Sequence, residues 1–196
     1  LFKYFGDSID YKSAGLFRSI DSNDLALVRE MIIKDINSPL TSGAGRLFDA
    51  VSALAGLCTK ASFDSEAPMR LESAINCRTD LYYPFNSGET IAFYDTFLAI
   101  LDDLNHPDVS LMSAKFHNTI ARIILNVSEK IRKDYSLDNV VLSGGVFQNK
   151  YLLEKSIQLL TKKDFKVFTN HQVPSNDGGI SLGQTVIASK FYGLCV

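Results

Sequence analysis

The stretch "VVLSGGVFQNKYLLE", Val140 to Glu154, decides how this sequence folds. A short apolar, β-branched run reads as a buried strand, the Gly-Gly as a turn, and Asn149 as the residue that opens an amphipathic helix. In an open α/β unit, ligands sit beyond the carboxyl ends of the strands, where the turn into the next helix points backbone N–H groups outward. Gly144 and Gly145 lack a Cβ, so the backbone there is free to approach a phosphate or ribose and to adopt positive φ. Asn149 either caps the helix beginning at Lys150 or contacts a ligand. The pattern is neither the dinucleotide fingerprint nor the Walker loop, and a tight strand-to-helix turn is the commoner use of two glycines.

A second strand-loop-helix unit follows. "FKVFTN" predicts a buried strand, so that Val140–Leu142 and Lys166–Phe168 form adjacent parallel strands joined by the helix "NKYLLEKSIQLLTKK". The loop "VPSNDGGISLGQ", Val173 to Gln184, then leads into the helix "GISLGQTVIASKFYG". Asp177 stands before Gly178 and Gly179, either as a helix cap or as a carboxylate in the same crevice, where it would suit a metal ion.

Upstream, Phe116, Ile120, Ile123, Ile124 and Val127 make one apolar stripe on a long helix from Leu111 to Lys133. Earlier still, Leu25, Val28, Ile32 and Ile33 have helical spacing, with Asn23 or Asp24 as the cap. Further helices are expected through Phe48–Ala55, through "SEAPMRLESAIN" and through "ETIAFYDTFLAILDDL". "CRTDLYYPF" reads as irregular or a short strand, and the "NSG" after it as a turn. The expected organisation is a helix-rich lobe over residues 1–110, with little or no strand, and an α/β lobe over residues 111–196 that carries both glycine loops.

A third element is "SGAGRLFDA", where Asp49 lies one turn from Arg46. The two either pair across the helix surface, as spacing alone favours, or leave the carboxylate to accept from ribose hydroxyls. His106, His117 and His171 show no metal-binding spacing, and His117 on the long helix reads as a surface or core residue. Cys58, Cys77 and Cys195 are odd in number and unpaired in spacing, which suits buried thiols in a cytoplasmic protein. The formal net charge of −2 gives no basic field for nucleic acid, and no apolar run is long enough to span a bilayer.

Together and in order, "TSGAGRLFDAVSALAGL", "FHNTIA", "VVLSGGVFQNKYLLE" and "QVPSNDGGISLGQ" closely resemble the C-terminal region of the HypF family of hydrogenase-maturation carbamoyltransferases. "FDSEAPMRLE" is similar to a further segment of that family, with Phe63, Asp64, Ser65 and Glu66 where Tyr-Glu-Gly-Gln is usual. The resemblance implies a helix-rich α/β fold, part of an actin-like ATPase (ribonuclease H-like) domain related to the tRNA threonylcarbamoyl-transferases. It implies that Gly144, Gly145 and Asn149 line the adenylate site, that Asp49 meets the ribose, and that Asp177 is a metal ligand; it assigns no catalytic residue. In such proteins a YrdC-like domain makes carbamoyl-adenylate from carbamoyl phosphate and ATP, and the C-terminal domain passes the carbamoyl group to the C-terminal Cys of HypE.

That family's divalent iron or zinc site also uses histidines from a His-rich motif that is missing from this sequence. The chain is therefore expected to be a piece of a longer polypeptide, inactive when isolated, whose partners are HypE and the other domains of the same polypeptide. Two other readings stand beside this one: a tRNA threonylcarbamoyl-transferase relative, against which "SGGVFQN" and "NDGG" argue, and a non-catalytic module that docks a maturation partner.

Overall fold

The computed structural model describes residues 1–6 and 20–193, so Cys195 lies outside the described residues. The chain divides into two compact units, one ending at Phe116 and one beginning at His117.

The first unit holds helices α1 (Phe2–Phe5), α2 (Ser22–Ile33), α3 (Ala44–Leu54) and α4 (Glu66–Ser73), a two-stranded antiparallel hairpin β1 (Asn86–Ser87) and β2 (Ile91–Ala92), helix α5 (Tyr94–Asp103) and the start of α6 (Val109–Tyr135). Strand is scarce here, as the helical periodicity predicts. Its core gathers Phe48, Val51, Leu71, Ile100, Met112 and Phe116, and the rings of Phe48 and Phe116 meet edge to face at 5.1 Å. Two buried polar groups in this core are paired, whereas the Ser52 hydroxyl, equally buried, has no hydrogen-bond partner among the described residues. Tyr83 donates to Asp103 Oδ2 at 2.7 Å and lies under the Lys115 ammonium, while Thr96 donates to the Pro84 carbonyl at 2.6 Å. Burial, then the bond to Asp103, pushes the Tyr83 phenol well above its usual range.

Several local expectations need correction. The cap of α2 is Asp21, whose side chain accepts from the Asn23 N–H at 2.7 Å, rather than Asn23 or Asp24. A shift of two or three residues at a helix start exchanges one capping side chain for another. Of the four apolar residues expected along α2, Leu25 and Ile32 are half-covered, while Val28 and Ile33 are exposed. Asn86 and Ser87 belong to a strand, and the turn falls one step later at Gly88. Ile91 and Ala92 pair back across that turn, so the following helix starts at Tyr94. Cys58 is buried and Cys77 half-buried.

The second unit is built on the two strands expected from the sequence, although they are covered on one face only and not buried as expected. β3 (Asn139–Leu142) and β4 (Lys166–Thr169) pair in parallel, Val140 opposite Val167 and Leu142 opposite Thr169. Helix α7 (Lys150–Thr161) joins them and α8 (Ile180–Phe191) follows the second. The sheet's inner face alternates as a half-buried sheet must: Val140, Leu142 and Val167 pack with Leu125, Leu160 and Phe165, whereas Val141 and Phe168 point out, 69% and 51% exposed. Arg132 stitches α6 to the turn before β4, donating to the Lys163 carbonyl at 2.8 Å and stacking on the Phe165 ring. Along α6, Phe116, Ile120 and Ile123 are buried and Ile124 and Val127 are partly so, which is the predicted stripe.

Candidate functional site

The strand-to-helix turn after β3 is not a bare Gly-Gly bend. Gly144 sits at φ 104°, ψ 159°, a conformation open essentially to glycine alone, and a single 3-10 turn, Gly145–Gln148, then intervenes before α7. The requirement at Gly144 is conformational, since nothing lies within 4 Å of where its Cβ would stand. Gly145 does not share the positive φ that the sequence reading allowed both glycines.

The loop after β4 meets this one. The Gly144 N–H donates to the Ser175 carbonyl at 2.8 Å, and a Cβ on Gly145 would lie 4.0 Å from the Asn176 Cβ. With its own N–H turned to Ser175, Gly144 shapes the junction, and the neighbouring Gly145 N–H makes no hydrogen bond among those of the described residues. In the second loop a close approach demands glycine: a Cβ on Gly179 would come within 2.7 Å of the Pro174 carbonyl oxygen. The two loops thus adjoin beyond the carboxyl ends of adjacent parallel strands.

Of the two roles open to Asp177, the cap goes to its neighbour. Asn176 accepts from the Gly178 N–H at 3.1 Å, while Asp177 begins a short 3-10 turn, Asp177–Gly179, with an exposed carboxylate that has no hydrogen bond or ion pair among the described residues. Asn149 does cap α7, accepting from the Leu152 N–H at 2.8 Å, and its Nδ2 lies 2.8 Å from Nε2 of His117. His117 is fully buried, as is Asn118 beside it, and Asn118 accepts from the Tyr151 hydroxyl at 3.2 Å. Of the two alternatives the sequence left for His117, surface or core, the structure takes the core, but its bond to Asn149 was not foreseen, and Asn176 was not singled out. The available signal was a polar pair, His117 and Asn118, in an otherwise apolar stripe.

Asp49 belongs to the first unit. Its Oδ2 pairs with Arg46 at 2.9 Å, the surface pair that spacing favours, and both residues line a cleft of about 420 Å³. Phe63, Asp64 and Glu66 line the same cleft, so two segments quoted separately from the sequence share it. Glu66 is buried, and its Oε2 accepts from the Ser62 N–H at 2.6 Å and the Ser62 hydroxyl at 2.8 Å, with Arg70 on the other oxygen at 2.6 Å. The Ser62 amide, then its hydroxyl, and more weakly Arg70, outweigh burial and hold this carboxyl below the usual range. No helix among the described residues is long and apolar enough to cross a membrane.

Comparison with known proteins accords with this geometry. Residues 4–184 match the family described as "Carbamoyltransferase, Kae1-like Domain, second subdomain". Carbamoyltransferase HypF of Synechocystis is 29% identical over 94% of this chain and 26% of its own length. A tRNA N6-adenosine threonylcarbamoyltransferase of Thermosipho melanesiensis is 30% identical over 67% of the chain and 41% of its own length. Among solved structures, full-length HypF in a phosphate- and nucleotide-bound form superposes with a TM-score of 0.84 at 38% identity, covering 92% of this chain and 30% of that one. The chain belongs to the HypF carbamoyltransferase family, its helix-rich α/β architecture is part of the actin-like ATPase fold, and it spans about a quarter of the curated HypF it matches.

Proposed function

We propose that this HypF-family chain contributes to a carbamoyl-transfer site in [NiFe]-hydrogenase maturation, with the two glycine loops holding the phosphate of carbamoyl-adenylate. One observation carries the reading: the Gly144 N–H bonded to Ser175 O draws both loops together beyond β3 and β4, leaving the Gly145 N–H for an anion. The phosphate- and nucleotide-bound state of the solved HypF supports it. In this reading Asp49 accepts from the ribose hydroxyls once Arg46 yields, and Asn149 offers its remaining amide hydrogen.

The transfer step is an acyl exchange. A thiolate, in this reading the C-terminal Cys of HypE, attacks the carbamoyl carbon. The C–S bond forms as the C–O bond to the adenylate phosphate breaks, and AMP leaves with that electron pair. Donors around the phosphate stabilise the charge that AMP carries away. Among the described residues, no three His, Cys, Asp or Glu side chains gather to hold a metal ion. A divalent iron or zinc ion would find in Asp177 one ligand and would draw the others from histidines of another segment. The setting proposed is cytoplasmic.

Calorimetry of the chain with AMP tests the reading. A Cβ at position 145 is compatible with the backbone there and meets only ordinary contact with Asn176, so Gly145→Val should leave the melting temperature near that of the parent while weakening AMP binding at least about tenfold through lost access to the N–H. AMP affinity unchanged by Gly145→Val would remove the phosphate from this loop.

A further inference from the structure

We propose that His117 is a positioning residue for the first glycine loop: a neutral imidazole protonated on Nδ1, whose Nε2 accepts from Nδ2 of Asn149 and so fixes which way the Asn149 amide faces. The inference starts at the cap. The Leu152 backbone N–H is only a donor, so the Asn149 atom facing it at 2.8 Å is the carbonyl oxygen. The other end of the amide, the NH2 group, then faces His117 Nε2 at 2.8 Å. An amide nitrogen donates and does not accept, so Nε2 must carry the lone pair and the ring proton must sit on Nδ1. Reversing the amide would set Nδ2 against the Leu152 N–H and destroy the cap.

Burial makes this arrangement consequential. His117 is 0% exposed, where a polar group without a partner is costly, so the bond is held in place by the surrounding packing. The Tyr151 hydroxyl bonds Asn118, and the Tyr151 ring meets His117 edge-on at 5.4 Å. Two consecutive residues of α6 therefore grip the residues on either side of Lys150, where α7 begins. With Oδ1 and Nδ2 each committed once, Asn149 retains one N–H and one lone pair in a fixed orientation. This role of His117 rests on the nucleotide reading of the loop, and it excludes His117 Nε2 as a general base, because that lone pair is already engaged.

The test uses the full chain labelled with 15N. Long-range correlations of the His117 ring should show the neutral Nδ1–H tautomer at neutral pH; an Nε2–H tautomer or an imidazolium overturns the proposal. His117→Gln, whose amide oxygen is able to accept the same bond, and His117→Leu, which has no acceptor, are then compared by AMP calorimetry. The Leu variant should lose about tenfold in affinity and the Gln variant should recover most of it. Affinity equal to the parent in the Leu variant, or equal loss in both, overturns the proposal. If the parent chain itself fails to bind AMP, the nucleotide reading falls, and the tautomer still decides the His117 assignment. It is joined there by the Asn149 side-chain N–H signals, which should be resolved and slowly exchanging in the parent and the Gln variant. Should the Leu variant not fold, the parent tautomer and the Gln variant decide alone.

Discussion

The two strand-loop-helix segments of the second unit share a plan and differ in anchorage. Each runs from a four-residue strand through a glycine loop and a 3-10 turn into a twelve-residue helix. In the first, Asn149 caps α7 and reaches His117, and α7 buries Leu152, Ser156 and Leu160. In the second, Asn176 caps only a three-residue turn, and Ser189 is the buried residue of α8. Ile180, Leu182, Val186 and Ile187 of α8 are exposed although the helix is strongly apolar. The same local plan therefore yields one rigid arm, able to set a ligand-binding geometry, and one arm held by its loop.

Core truncation should separate the arms most widely. Leu152→Ala removes a fully buried side chain and should cost about 2–5 kcal/mol in urea unfolding, whereas Ile187→Ala, 70% exposed, should change stability by less than about 0.5 kcal/mol. Similar costs for the two would mean that α8 is as well packed as α7.

Next come the caps. Asn149→Ala loses the α7 cap and leaves a buried His117 nitrogen without its partner, for an expected cost of about 1–3 kcal/mol. Asn176→Ala opens one short turn and should cost under about 1 kcal/mol. Within the first loop, Gly144→Ala must force a side chain into φ 104° and should cost about 1–2 kcal/mol, while Gly145→Ala should be within about 0.5 kcal/mol of the parent. Thermal melts of the two glycine variants settle that ordering.

The smallest expected effect lies in the first unit and depends on pH. Because the folded Glu66 carboxyl titrates below its ordinary value of 4.5, its contribution is fully present above that value and is lost as pH falls through the folded pKa. Glu66→Gln should melt lower than the parent at pH 7, and the gap between their melting temperatures should narrow on acidification below about pH 4.5. A gap independent of pH would mean that Ser62 and Arg70 do not favour the charged form.

How much of this was legible in the sequence follows from the range of each interaction. The strands Val140–Leu142 and Lys166–Phe168, the helix between them and the stripe on α6 were legible, because burial on one face writes a period into consecutive residues. Of the caps, Asn149 was legible, whereas Asp21 and Asn176 were missed, since Asp21, Asn23 and Asp24, or Asn176 and Asp177, offer the same chemistry within three positions. The 3-10 turn Gly145–Gln148 left no period to read. His117 and Asn149 are 32 residues apart, and nothing local to either names the other. Periodicity likewise identifies the apolar face of α2 or α8 without saying whether anything covers it.

Titration of the 15N-labelled chain with AMP, followed through backbone amide signals, tests the central claim most directly. If the adjoining loops beyond β3 and β4 hold the adenylate phosphate, the amides of Gly145, Gly178 and Gly179 should shift together along one saturating curve, and Gly145→Val should move the curve of Gly178 and Gly179 to at least about tenfold higher AMP concentration. Saturable binding with all three of these amides unmoved would contradict the account and place the nucleotide elsewhere on the chain.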